Sequence, residues 1–288
     1  MRPLLALLAL LTGAPTVAAA ELVETGRIAL EYPDLRFGGL SGLDLDPDGE
    51  HFVAVGDRGI LVTGRILREG ERLTGAEFEI RPLRDLEGEP LKGHFVDAES
   101  VALDGAGGLH VGFEARHRIW HYAGPDASAR RSAGCPDFLD FQINSGLEAL
   151  ARGPDGTLYA IPERSGARER PFPVYRIRGA TCLEPFALPR RGPFLVTGAD
   201  VGPDGRLYIV ERDFALFGFA TRIRRFAIGE ARLGPEEMLL ETAHGAIGNL
   251  EGIAAWRDGE GRMRLTLIAD NNFSPLQETV LIEFRIEE

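Results

Sequence analysis

Five times along the chain, a short run opening near Glu, Ser or Thr leads into an apolar stretch, a tight glycine-containing turn, a second apolar stretch and a closing acid beside Arg or Asn. The copies run from Leu40-Ser41-Gly42-Leu43-Asp44 to Asp57-Arg58, from Glu99-Ser100-Val101-Ala102 to Glu114-Ala115-Arg116, and from Glu148-Ala149-Leu150 to Glu163-Arg164. Two more run from Thr197-Gly198-Ala199-Asp200 to Glu211-Arg212 and from Glu251-Gly252-Ile253-Ala254 to Asp270-Asn271-Asn272. A unit of roughly 50 residues built from short alternating segments cannot bury its faces alone, and stacking such units about an axis gives a β-propeller. The expected fold class is therefore all-β, in a single domain over residues 21–288.

Asp48-Gly49, Asp155-Gly156, Asp204-Gly205, Asp258-Gly259 and Gly107-Gly108 supply residues able to take positive φ, as hairpin turns require. Each then joins two antiparallel strands, so the start of the first and the end of the second share one edge of a blade. Glu99 meets Glu114 there, Glu148 meets Glu163, and Glu251 meets Asp270, with Ser41 beside Asp57 and Thr197 beside Glu211. Because the first strand of each blade lines the central channel, these groups are expected to ring one mouth of it. The last copy supplies three strands, while an unassigned strand at 21–32 precedes the first copy. That N-terminal strand is expected to join the last blade and close the ring, which removes an exposed sheet edge. Five blades follow, and the spans 57–97 and 122–142 leave room for a sixth.

Met1 to Ala20 reads as a secretory signal peptide, with one Arg, an apolar core from Leu4 to Leu11 and a small-residue end at Val17-Ala18-Ala19-Ala20. The protein is thus expected to be periplasmic or secreted, and no later apolar run is long enough for a membrane span. A formal net charge of −12 opposes binding to nucleic acid or to an anionic membrane. A small anionic or ester substrate is the expected partner, and the chain is expected to act as a monomer. Cys135 and Cys182 are the two cysteines, and an exported compartment permits their pairing without requiring it.

An acid opening an otherwise apolar inner strand is costly to desolvate unless it meets a cation or hydrogen-bond donors. Glu99, Glu148 and Glu251, with Asp270 and Asn271, are therefore the expected ligands of Ca²⁺ or another divalent cation, which favours several oxygen ligands. The alternative is that the same acids cap backbone amides or pair with neighbouring arginines. Glu114, Glu163 and His94 are the expected proton-transfer groups, and Arg58, Arg164 and Arg212 the expected substrate-binding groups. His117 and His121, four apart near a strand, are too widely separated to ligate one zinc ion. Gly39-Leu40-Ser41-Gly42 is not a nucleophile elbow, and phosphate-cradling glycine loops are absent.

Taken in order, Val55-Gly56-Asp57-Arg58-Gly59, Asp97-Ala98-Glu99-Ser100, Gly146-Leu147-Glu148-Ala149-Leu150, Glu211-Arg212-Asp213 and Asp270-Asn271-Asn272-Phe273 resemble the exported phytase-like domain named "esterase-like activity of phytase". The resemblance covers nearly the whole chain after the leader. It implies a propeller with recurrent acids and a phosphoesterase or esterase activity, although no strongly basic pocket suited to phytate is evident. The leading expectation is a divalent-metal-dependent hydrolase of phosphate esters or related esters. Two alternatives stand beside it. One is a lactonase similar to the gluconolactonase-type propellers, using Glu251, Asn271 and Asp270; the other is a propeller that only binds a sugar, a peptide or an envelope partner.

Overall fold

A computed structural model describes residues 20–141, 146–216 and 218–288, so the expected leader lies outside the described residues except for Ala20. Five four-stranded antiparallel sheets form the blades of a propeller. The first blade holds β2 (Leu40–Leu45), β3 (His51–Gly56), β4 (Ile60–Glu69) and β5 (Arg72–Pro82). The second holds β6 (Ala98–Leu103), β7 (Leu109–Phe113), β8 (Arg118–Tyr122) and the two-residue β9 (Arg130–Arg131). The third holds β10 (Leu147–Arg152), β11 (Leu158–Pro162), β12 (Phe172–Arg178) and β13 (Thr181–Leu188). The fourth holds β14 (Leu195–Val201), β15 (Arg206–Ala215), β16 (Gly218–Ile228) and β17 (Leu233–Glu241). The fifth combines β18 (Asn249–Arg257), β19 (Met263–Asp270) and β20 (Thr279–Glu287) with the N-terminal β1 (Glu21–Leu30).

The closing strand pairs as the sequence predicts, with Leu22 opposite Ile286 and Leu30 opposite Thr279. The spans that left room for a sixth blade hold instead β4, β5 and a 3₁₀ turn at Gly93–Phe95 and, after β8, among the described residues only β9 and a 3₁₀ turn at Pro136–Asp140. Among the described residues no helix is long and apolar enough to cross a membrane.

Alternation along the strands explains the core. Both faces of an interior blade are covered by neighbours, so successive side chains are apolar but point to different junctions. On β3, Phe52 and Ala54 pack toward the fifth blade with Trp256, Ile268 and Leu281. Val53 and Val55 pack the other way, against Val101, Val111 and Trp120 of the second blade. The remaining junctions carry their own apolar clusters in the same manner. The core is thus divided into five wedges, one between each pair of blades.

Polar bolts reinforce the wedges near the axis. Asp44 on β2 accepts from Leu45 N–H and, across the junction, from Leu103 N–H, each at 2.7 Å. Asp200 repeats the device from β14, accepting from Val201 N–H at 2.6 Å and from Ala255 N–H at 2.7 Å in the fifth blade. Cys135 and Cys182 form a disulfide that ties the connection after the second blade to β13. The pairing that the sequence left open is therefore made, and it closes a loop of 47 positions. A loop of that length is worth about 4 kcal/mol in the chain-entropy model.

The hairpin turns follow expectation at Gly49, Gly107, Gly156 and Gly205, whose φ values are 71°, 93°, 80° and 74°. In the fifth copy the positive φ falls on Gly261, at 80°, rather than on Gly259, because the turn has the same length as that between Arg152 and Leu158 and Asp258-Gly259 sits two positions earlier in it.

Close approach of the inner strands demands glycine for a different reason. A Cβ on Gly252 of β18 would lie 2.8 Å from Leu43 N and Cβ on β2, and one on Gly42 would lie 2.8 Å from Ser100 Cα on β6. Gly252→Val is expected to force the first and fifth blades apart and cost about 1–3 kcal/mol, the usual penalty of overpacking. Gly259→Ala, with nothing near its Cβ, is expected to leave the thermal midpoint within about 1 °C, a surface-substitution effect. Equal midpoints for the two variants would refute this account of the axis.

Candidate functional site

Each inner strand slips register once against its neighbour, and always at the same place. The slips fall between Leu40 and Gly42, Ala98 and Ser100, Leu147 and Ala149, Val196 and Gly198, and Leu250 and Gly252. The skipped residues are Ser41, Glu99, Glu148, Thr197 and Glu251, the set that opens the five sequence copies. A bulge leaves its extra residue unpaired and re-aims the side chain. Here Glu148 and Glu251 reach the axial space, Ser41 Oγ donates to Asp57 Oδ1 at 3.1 Å, and Thr197 Oγ1 donates to the Leu250 carbonyl of the fifth blade at 2.8 Å.

The ends of the second strands supply the next ring. Pairing puts Gly56, Phe113, Pro162, Glu211 and Ala269 at equivalent positions, opposite Leu40, Ala98, Leu147, Val196 and Leu250. The residues that follow are Asp57, Glu114, Glu163, Arg212 and Asp270. Glu211 is therefore not the fourth member of the acid ring that the sequence copies suggest. It is buried one step earlier, clamped by Arg224 through Nε at 2.8 Å and Nη2 at 2.5 Å. Arg212 stands where the other blades carry a carboxylate.

Several of these groups lie close together. One oxygen each from Asp57, Asp97 and Glu99 lies within 4.8 Å of the others. Burial pushes Asp57 up to about 7, with the charges of Asp270 and Asp97 adding to it. Glu99 and Glu148 lie well above the ordinary carboxylate range, first through burial and then through neighbouring acids including Glu114 and Glu251. Glu114 is also raised by burial, although its Oε1 accepts from Gly146 N–H at 2.7 Å. Beneath the ring, the axial space lined by Gly42, Ser100, Glu148, Gly198 and Glu251 is only about 10 Å³, room for about one water. Ligands must therefore approach from the mouth.

Arg212 is the counter-charge of this mouth. Its guanidinium contacts Glu251 directly, donates to Asn249 Oδ1 at 2.8 Å and reaches Glu163 Oε1 at 3.7 Å. Burial opposes its charge, but Glu251, Glu148 and Glu163 outweigh that and raise its pKa. Asn249 Nδ2 also donates to Glu251 Oε1 at 2.6 Å. Glu251 rises to about 7 through burial, with Arg212 pulling the other way.

The other expected site residues have more local settings. Arg164 is exposed, with Nε 2.9 Å from Glu163 Oε2. Arg58 is exposed and stacks 3.5 Å from the centroid of Phe273. His94 sits exposed on a 3₁₀ turn at Gly93–Phe95, ahead of β6. Asn271 Oδ1 accepts from Gly39 N–H at 3.4 Å and Phe273 N–H at 3.0 Å, which shapes the loop after β19. His121 pairs with Asp104 at 2.9 Å, and its ring lies 4.8 Å from that of His110 at a tilt of 50°.

The donor set suits a hard divalent cation. Two oxygens each about 2.4 Å from one ion lie at most about 4.8 Å apart, the spread found for Asp57, Asp97 and Glu99. Asp270 Oδ1, next to this group, is buried without a hydrogen-bond partner among the described residues. Sequence reasoning named Glu99 and Asp270 as ligands but placed Asp57 only at the rim and Asp97 only within the motif Asp97-Ala98-Glu99-Ser100.

A family model described as "Phytase-like: Esterase-like activity of phytase" matches residues 35–273. No curated protein matches the sequence. Among solved structures, the α-L-arabinofuranosidase of Podospora anserina in complex with cellotriose is similar at a TM-score of 0.54 and 11% identity, covering 95% of this chain and 98% of that one. The catalytic domain of the Coprinopsis cinerea α-L-arabinofuranosidase gives 0.55 and 13%, covering 93% and 97%. At these identities the likeness is one of fold alone.

The electrostatics of Glu251 set a pH dependence. Its folded pKa of about 7 exceeds the ordinary 4.5, so its contribution to stability is complete below about 4.5 and is lost as pH rises through about 7. In chelator, the thermal midpoint of the wild type is expected to fall across that window relative to Glu251→Gln. Arg212→Ala is expected to be mild at pH 5 and to cost about 3–5 kcal/mol at pH 8, as breaking a buried pair does. A deficit that does not change with pH would show that Arg212 is not neutralising ionised acids.

Proposed function

We propose, from the premise that the chain belongs to the phytase-like family, esterase-like activity of phytase, that it is an exported, divalent-cation-dependent hydrolase of phosphate esters or related esters acting at the acidic mouth of the propeller. The observation that carries this reading is the clustering of Asp57, Asp97 and Glu99 oxygens within 4.8 Å beside the orphaned Asp270 Oδ1. Burial raises the pKa values of these four carboxyls, and neighbouring acids raise Asp57 and Glu99 further, a cost of ionisation that a cation would relieve. Asp57, Asp97, Glu99 and Asp270 would hold the ion, with Ca²⁺ the first choice for an all-oxygen site. Such an ion supplies Lewis acidity for an ester oxygen and lowers the pKa of bound water.

The remaining chemistry falls to side chains around it. Glu148 and Glu251, at the bulge positions of the third and fifth blades, keep the floor of the mouth acidic. Glu114, with its pKa raised by burial and its Oε1 fixed by Gly146 N–H, is placed to take and return a proton. Glu163 is the second carboxyl assigned to proton transfer, oriented by Arg164 and Arg212. Arg164 is exposed and is the better placed of the two arginines to meet the negative charge of an incoming ester, because Arg212 is engaged by Glu251. Export is supported by the sequence of Met1 to Ala20 and by the Cys135–Cys182 disulfide, which suits an oxidising compartment.

Calorimetry on the purified protein is expected to show Ca²⁺ binding with proton release near pH 7, and a larger rise in thermal midpoint at pH 8 than at pH 5. Hydrolysis of p-nitrophenyl phosphate, bis(p-nitrophenyl) phosphate or p-nitrophenyl acetate is expected to stop in chelator and to fall at least about 100-fold in Glu99→Gln, the scale of losing a positioned metal. Absence of divalent-cation binding would end this mechanism, and turnover of lactones alone would move the activity to another ester class.

A further inference from the structure

We propose that a recess over the outer strands of the third blade is a binding site for an organic oxyanion, a phosphate or carboxylate head carried on a flat apolar body. The recess has a volume of about 980 Å³, within the range of small-molecule sites. It is walled by the loop from β11 to β12, by β12 and β13 themselves, and by the connection into β14. The antiparallel pairing puts the start of β12 and the end of β13 at the same blade edge as Glu163. The recess therefore opens on the side of the propeller that carries the acids, with Arg164 bordering both.

Its charge runs against the rest of the molecule. The chain carries a net −12, yet Arg164, Arg168, Arg170 and Arg190 converge here against Asp140 and Asp213. Asp213 is already engaged by His244 at 3.1 Å, and Arg164 by Glu163. Among the described residues Arg168, Arg170 and Arg190 form no ion pair. Arg190 donates only to neutral acceptors, Ser165 Oγ at 3.0 Å and the Ala167 carbonyl at 3.3 Å, and its Nε is buried without an acceptor among the described residues. Burial, followed by the like charges of Arg168 and Arg164, draws its pKa below the ordinary arginine range. Glu169 and Glu211 act on Arg190 more weakly than these arginines do, and guanidinium groups that outnumber the nearby carboxylates favour a planar or tetrahedral oxyanion, which they can grip through paired N–H donors.

The walls describe the rest of the ligand. Phe141, Phe172, Tyr175 and Phe186 line the recess, and Arg190 lies 5.3 Å from the Phe172 ring centroid. Pro171, Pro173, Pro185 and Pro193 line it as well, and their fixed φ makes the apolar wall rigid before any ligand arrives. A preformed wall lowers the entropic cost of binding. A neutral sugar would leave the arginines without a counter-charge, and a bare inorganic ion would leave the apolar wall wet. The site does not depend on the hydrolytic reading, since none of its basic groups other than Arg164 borders the acid mouth.

Phenyl phosphate titrated into the protein by calorimetry, in chelator so that the acid mouth holds no metal, tests the proposal. Saturable binding is expected, weakened by added salt and at least tenfold tighter than inorganic phosphate. Arg168→Glu with Arg170→Glu, both exposed and outside the core, is expected to weaken it at least tenfold with an unchanged thermal midpoint. Arg190→Gln is expected to weaken it as well, while Glu99→Gln binds like the wild type. No saturable binding, equal affinity for inorganic phosphate, or full affinity in the double charge-reversal variant would each overturn the proposal.

Discussion

A bulge at one position of every inner strand governs this molecule. Without it, the residue at that position would lie in the ladder, facing the neighbouring blade, where an acid could not be tolerated among apolar wedges. With it, Glu99, Glu148 and Glu251 leave the packing and share a narrow opening, while Ser41 and Thr197 occupy the other two places. Small residues directly after the bulge, Gly42, Gly198 and Gly252, then let the inner strands close up. The same local event thus seals the axis below and concentrates oxygen ligands above.

Concentration of like charge has to be balanced, and the fold does so unevenly. In the fourth blade Arg212 replaces the strand-end acid and neutralises the side of the mouth nearest Glu251 and Glu163. The opposite side, with Asp57, Asp97, Glu99 and Asp270, has no ion pair to an arginine among the described residues, and burial raises the pKa values of its carboxyls. One ring thereby contains both a sector paired with a guanidinium and a sector of carboxyls without one. The asymmetry comes from a single substitution within the repeat.

The architecture was legible because it rests on periodic features: alternating apolar runs, glycine turns at matching places, and one unassigned strand at the start to match a last copy that is one strand short. Which acids lie together was legible to the extent that they repeat. Asp97 does not repeat, since it belongs to the approach to β6 rather than to a strand end, and only the folded geometry brings it to Asp57 and Glu99. Arg212 was readable in principle. The spacing is 114 − 99 = 15 and 163 − 148 = 15 in the second and third copies, and 197 + 15 lands on position 212. The neighbouring Glu211 hid it, because an acid beside an arginine looked like the motif while serving as the buried partner of Arg224. The arginine-lined recess left no comparable trace, for its residues come from two connections with no counterpart in the other copies.

Pairing of β1 with β20 brings Glu21 opposite Glu287 and makes the circle depend on the two most distant strands of the described chain. Four blades can assemble as each hairpin forms, but the fifth stays incomplete until the final segment arrives, so the last contact in sequence is also the keystone. A propeller latched in this way resists fraying, since neither tail can peel away without opening the sheet that holds the other. The closeness of Glu21 to Glu287 also means that a peptide link between these two positions would span little space, leaving the choice of where the polypeptide is cut almost independent of the shape it encloses.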